Sequence, residues 1–263
     1  MAFPGKFDRV LYDKNPLTSV ICQVRFPTIL RIESELPANF QDRIRAKFPL
    51  FNESSSEGQI EIPQEIAKLL SRQLDVPGQN YNFVSEDRSW GVNLTRDFLA
   101  LSCRKYERWE RFLERLEIAM SALNDEYHPS FFSRVGLRYQ NAIHRSRLDL
   151  SDKSWSQLLR TEIAGELGND DFAKCIKIFK KDVQFVLADG TQTRMLNGLT
   201  KTKTTEEEVY VIDTDFFTTE RTEVPDAWEK LKRFNEYARS IFRWSIADEL
   251  HRAMGPKQID GHR

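Results

Sequence analysis

Between Phe131 and Ile143 the chain alternates in a way that suits only one backbone conformation. Phe131, Val135, Leu137, Tyr139 and Ile143 are apolar, and Arg134, Arg138 and Gln140 between them are polar. A period of two describes a strand with one buried and one wet face, because successive side chains point to opposite sides of a sheet. Gly136 falls on the polar side, where the missing side chain lets a backbone or a ligand come close. The stretch lies near the middle of the 263 residues and follows the strongest helical pattern in the chain.

A chain of this length can bury a core as one large domain or two modest ones. Its residues are 40% hydrophobic and 30% charged, the composition of an ordinary folded protein. The 39 basic and 40 acidic residues leave a net charge of −1, so nothing in the balance calls for nucleic acid or an anionic membrane. Cys22, Cys103 and Cys175 are far apart, lie in apolar-patterned runs and form no CxxC pair. They are expected to be reduced core thiols of a cytoplasmic protein. The opening MAFPGKFDRV has no apolar leader run, and no window approaches the run of about 18 apolar residues that a membrane helix needs.

In chain order, residues 1–17 read as irregular and Val20–Phe26 as a strand. Phe40, Ile44 and Phe48 recur at helical spacing, the run 52–58 reads as a loop, and a short helix is expected over 63–72. Tyr81 and Phe83, then Trp90, Val92 and Leu94, then Leu99, Leu101 and Cys103 give three alternating runs, an antiparallel meander. Trp109, Leu113, Leu116, Met120, Leu123 and Tyr127 step along one stripe of a helix whose other side mixes Glu and Arg. A polar region over 145–172 follows, with a weak helix at 154–161. Alternation resumes from Ala173 to Leu187, Asp189-Gly190 marks a hairpin turn, and strands are expected at 193–200 and 209–213. Trp228, Leu231, Phe234 and Ile241 belong to a closing helix from Pro225 to Met254, which Gly255-Pro256 stops.

These patterns predict an α+β fold of antiparallel meanders, each followed by a long covering helix, with a duplicated arrangement suggested by the similar order of the two. The division is placed at 1–147 and 148–263. Trp109, Leu113, Leu116, Val135, Leu137, Tyr139, Trp228, Leu231, Phe234 and Ile241 are expected in the core.

The chemistry-bearing residues form no recognisable catalytic pattern. His128, His144, His251 and His262 are scattered without metal-ligand spacing, and there is no GxSxG, P-loop, GxGxxG or HExxH motif. No cofactor or structural metal is expected. Asp213 and Asp215 share one face at a strand end, which suits two carboxylates on one metal, while their Thr-rich flanks favour a solvated edge strand. Arg134, Arg138 and Gln140 are the better candidates for a ligand or partner site, since arginine makes bidentate contacts to carboxylate and phosphate. The competing reading pairs them with glutamates of a covering helix.

Three segments together resemble a known family: Tyr12-Asp13-Lys14-Asn15-Pro16-Leu17 leading into Val20–Phe26, Val135–Asn141, and Ser245–Leu250 with Met254-Gly255. The chain is similar to a sporadically distributed family of uncharacterised prokaryotic proteins of about this length, a resemblance that spans nearly the whole sequence. It implies no catalytic residues, but a patchy distribution is typical of genes moved with mobile elements, including defence and toxin–antitoxin loci. The function expected is therefore that of a non-enzymatic binding protein with a protein partner, regulatory or neutralising in such a locus. The alternatives are a nucleic-acid-processing or phosphate-ester enzyme using Asp213 and Asp215, and a chaperone-like holder of an unfolded partner.

Overall fold

The computed structural model describes residues 3–52, 79–202 and 205–259. The expected loop beyond Asn52, the helix over 63–72 and His262 lie outside these residues. In chain order the elements are β1 (Val10–Tyr12), β2 (Leu17–Arg25), α1 (Arg31–Ser34), α2 (Ala38–Ile44), β3 (Leu50–Asn52), β4 (Tyr81–Val84), β5 (Trp90–Leu94) and β6 (Phe98–Cys103). Then follow α3 (Trp109–Tyr127), β7 (Arg134–His144), α4 (Trp155–Leu158), α5 (Thr161–Ala164), α6 (Asp170–Ala173), β8 (Lys180–Val186) and β9 (Gln192–Lys201). The last are β10 (Glu208–Thr218), α7 (Ala227–Ser245), α8 (Asp248–Ala253) and β11 (Pro256–Gln258). Nine strands form one sheet in the order β3-β4-β5-β6-β2-β7-β10-β9-β8, while β1 and β11 make a separate antiparallel pair. The fold is thus mixed α and β, built on a large antiparallel sheet.

The chain divides into two compact units, each made of segments distant in sequence. In the unit of residues 19–138 and 217–232, β4, β5 and β6 pair antiparallel, with Tyr81 opposite Leu94 and Trp90 opposite Cys103. β2 adds to β6 with Val20 opposite Cys103. The apolar set of β2 is Val20, Cys22 and Val24, each at most 1% exposed. α3 packs on α2 and β6. Its buried stripe runs through Trp109, Phe112, Leu116, Ala119, Met120 and Leu123. Leu113 is only half-buried, because the stripe is centred one residue earlier, on Phe112. The helix ends where His128 takes a left-handed conformation, φ 47°, with Pro129 next.

The turn between β4 and β5 is organised by Asp87, which accepts from Ser85 Oγ at 2.6 Å, Ser89 N at 3.1 Å and Ser89 Oγ at 2.5 Å. These hydrogen bonds hold the Asp87 carboxyl at a pKa of about 2, below its ordinary 3.8. The folded-state pKa is the lower one, so the stabilisation is full above about pH 4 and drains as pH falls toward 2. Asp87→Asn is expected to flatten that part of a denaturant-midpoint-against-pH curve; an unchanged acid limb would show that the turn contributes nothing.

In the unit of residues 1–18, 139–216 and 233–263, β8 and β9 form the expected hairpin. Its turn carries Gly190 at φ 84°, closed by Leu187 N donating to Thr191 O. Tyr210 is fully buried, its hydroxyl 2.8 Å from Asn197 Oδ1 and 3.2 Å from the Ile163 carbonyl oxygen. Four expectations are corrected here. The strand expected from Ala173 begins only at Lys180, because residues 170–173 are helical; Cys175 lies between the two and is exposed rather than core. The closing helix is broken into α7 and α8 at Ile246-Ala247, where the backbone turns aside to pair with residues 158–160: Ala247 N donates to Leu158 O and Arg160 N to Ser245 O. Trp228 is half-buried at the start of α7, whereas Ala227, Leu231, Phe234, Ala238 and Ile241 form the buried stripe.

Candidate functional site

β7 carries the residues to which the sequence points, and its surroundings change their meaning. β7 lies between β2 and β10, so both of its edges are paired. Val135, Leu137 and Tyr139 are buried as expected, with Asn141 on the same alternation, but so are Gly136 and Gln140 on what reads as the wet alternation. Only Arg134, Arg138, Ala142 and His144 keep partial exposure along the strand.

In the unit of residues 19–138 and 217–232, Arg134 is held on three sides. Its guanidinium lies over the Phe217 ring at 4.7 Å from the centroid. Its Nη1 donates to Gln23 Oε1 at 3.1 Å. It also folds back over Gly136: a Cβ built on that glycine would sit 2.2 Å from Nη1 and 2.8 Å from Cζ. The gap that the sequence suggests for an incoming group is therefore filled by a neighbouring side chain two residues away. Such packing fixes the plane of the guanidinium fork, whose N–H donors match a carboxylate or phosphate edge. A second cation–π contact stands nearby in the chain, Arg221 over Phe131 at 4.2 Å. The Cys22 thiol, buried in β2, is pushed up to about 12 by that burial and stays protonated despite the opposing influence of Arg134.

In the other unit, Gln140 is 3% exposed and its Nε2 donates to Asp213 Oδ2 at 3.1 Å. This removes Gln140 from any wet face. Its Oε1 is buried without a partner. Asp213 and Asp215 are 2% and 8% exposed on β10, which runs between β7 and β9. The solvated edge strand expected for them is therefore corrected: β10 is interior, and their Thr-rich flanks are buried with them, Thr214 and Thr218 included. On β9, Arg194 clamps Asp182 of β8 through Nε at 2.9 Å and Nη2 at 2.6 Å, and this bidentate pair holds the Asp182 carboxyl below its ordinary range. Charge on Asp213 and Asp215 adds to the same arginine's raised pKa, after the Asp182 hydrogen bond and interaction.

Each of the three described histidines has its own surroundings. His128 caps α3, His144 meets Glu207 at 3.3 Å, and His251 Nδ1 lies 2.9 Å from the Tyr12 hydroxyl. Among the described residues no group of three or more His, Cys, Asp or Glu is placed to hold a metal ion. Among them, too, no helix is long and apolar enough to cross a membrane. Sequence reasoning missed Gln23 and Phe217, the two residues that fix Arg134. Phe217 could have been found from the strand period, as it stands two residues beyond Asp215; Gln23 faces out of the β2 alternation. Compared with known proteins, the chain matches no protein-family model and no curated protein sequence.

Proposed function

We propose that the protein is a non-enzymatic binding protein and that Arg134 is the contact through which it takes a carboxylate or phosphate of a protein partner. The observation that carries this reading is the seating of its guanidinium on Phe217, against Gln23 and over Gly136. A side chain already fixed loses less conformational entropy on making a bidentate contact, so the packing favours binding. Arg138, half-buried two pleats along the same strand, is the second guanidinium of this surface. On the resemblance alone, the partner belongs to a defence or toxin–antitoxin locus; a neighbouring toxin or nuclease gene agrees with that setting, and a metabolic operon counts against it. The order β4-β5-β6-α3 and the order β8-β9-β10-α7 support a duplicated plan of meander and helix.

The test uses purified wild type, Arg134→Ala and Gly136→Ala as baits in host extract, with mass spectrometry of what is retained. The added methyl of Gly136→Ala meets the end of the Arg134 side chain and no backbone, so it should push the guanidinium off its seat while leaving the strand in place. A partner held by the wild type should be lost by both variants, with melting temperatures shifted by only a few degrees. Equal retention by all three baits would refute the role of Arg134.

A further inference from the structure

We propose that the outer edge of β8 is the interface between two copies of this chain, paired antiparallel about a two-fold axis through Val183. β8 is the terminal strand of the nine-stranded sheet, with β9 on its inner side. The outward row of N–H and C=O groups on such a strand is a template for a further strand. Exposed apolar side chains stand along it: Val183 is 44% exposed, Val186 67%, and Ile178, two residues before the strand, 79%.

The charge pattern and the centred apolar residue fit a second copy of the chain as the occupant. Val183 is the midpoint of Lys180–Val186, so a two-fold axis there pairs every residue of the strand. Val183 then opposes its own copy, Asp182 opposes Gln184, Lys181 opposes Phe185, and Lys180 opposes Val186. No charge faces a like charge, whereas moving the axis to Asp182 or Lys181 would set that residue against itself, which is destabilising. Edge lysines ordinarily guard against pairing. Here the two copies of Lys180 lie six residues apart along the strands, roughly 20 Å, beyond the Debye length of about 8 Å. The two copies of Asp182 meet only on the diagonal, and each is already neutralised by Arg194 at 2.6 Å. The result is an isologous contact of the kind that closes as a dimer.

The test is position-specific. In a Cys175→Ser background, which removes the exposed thiol and leaves Cys22 and Cys103 buried, Val183→Cys places two cysteines directly opposite across the axis. Cross-strand Cβ atoms at about 5 Å are near the separation a disulfide needs. Mild oxidation should convert Val183→Cys to a covalent dimer on a non-reducing gel and leave Gln184→Cys, which faces Asp182, monomeric. Light scattering of the wild type should give the mass of a dimer, and Val183→Lys, at a solvent-exposed site, should give a folded monomer whose melting, unlike that of the wild type, does not depend on protein concentration. A wild type that stays monomeric, a Val183→Lys protein that stays dimeric, or equal cross-linking at 183 and 184 would each overturn the proposal. Capture of a strand from another protein at this edge would appear as the first of these.

Discussion

Replacing Leu137 with alanine is expected to lower the unfolding free energy by about 2–5 kcal/mol. Leu137 is 0% exposed, and its neighbours on the same face of β7, Val135 and Tyr139, are 0% and 6% exposed. The strand is interior, between β2 and β10, so the backbone around the new cavity is fixed by ladders on both sides and can collapse little. Urea denaturation of the wild type and the variant gives the measurement, with an unchanged slope confirming that both unfold from the same compact state. A loss below about half a kcal/mol, the scale of a surface substitution, would mean that the side chain does not face the core. Gly136→Ala, on the neighbouring residue but the opposite alternation, meets only the end of the Arg134 side chain and is expected to cost much less, so the contrast separates a side chain packed in the core from a position covered by one long side chain.

Gly198→Ala is expected to cost about 3 kcal/mol, the upper end of overpacking penalties. Gly198 stands opposite Lys180 in the β8–β9 hairpin. A Cβ there would lie 2.2 Å from the Phe179 carbonyl oxygen and 3.0 Å from Lys180 Cα. That oxygen accepts from Leu199 N at 2.9 Å, so the obstacle is backbone already committed to pairing and cannot swing aside as a side chain would. Relief requires the end of the hairpin to open, which also strips the strand of its register. Gly168→Ala is the control: nothing lies within 4 Å of its Cβ position, and a change within about half a kcal/mol is expected. Equal melting of the Gly198 variant and the wild type would show that the close approach is relieved at no cost.

Much of the secondary structure is legible in the residues because its causes are local. The two-residue period of 135–139, the helical stripe beginning at Trp109 and the Asp189-Gly190 turn each depend on neighbours within a few positions, and each stands where the pattern puts it. The same local signals mislead where a residue's surroundings come from elsewhere in the chain. Leu113 and Trp228 have the right spacing yet stay half-buried, because the packing partners of each helix centre the buried stripe on Phe112 and Ala227 instead. The break at Ile246-Ala247 has no helix-breaking residue to announce it; its cause is the pairing with residues 158–160.

The candidate site divides along the same line. That Arg134 and Arg138 share an alternation with Gly136 follows from the sequence, since neighbours two apart on a strand must point the same way. Whether that alternation is wet does not follow from it, because exposure depends on which side chains, many from distant parts of the chain, lie over that face. β2 enters between β6 and β7, and β10 between β7 and β9, pairings of residues far apart in the chain. Those non-local pairings put Asp213 and Asp215, both buried, on an interior strand, bring Gln23 and Phe217 to Arg134, and leave β8 at an edge. By itself the sequence determined where strands and helices form and which side chains could share a face. Only the tertiary structure decided which of those faces meets water, because what lies over a face comes from distant parts of the chain that no local pattern connects.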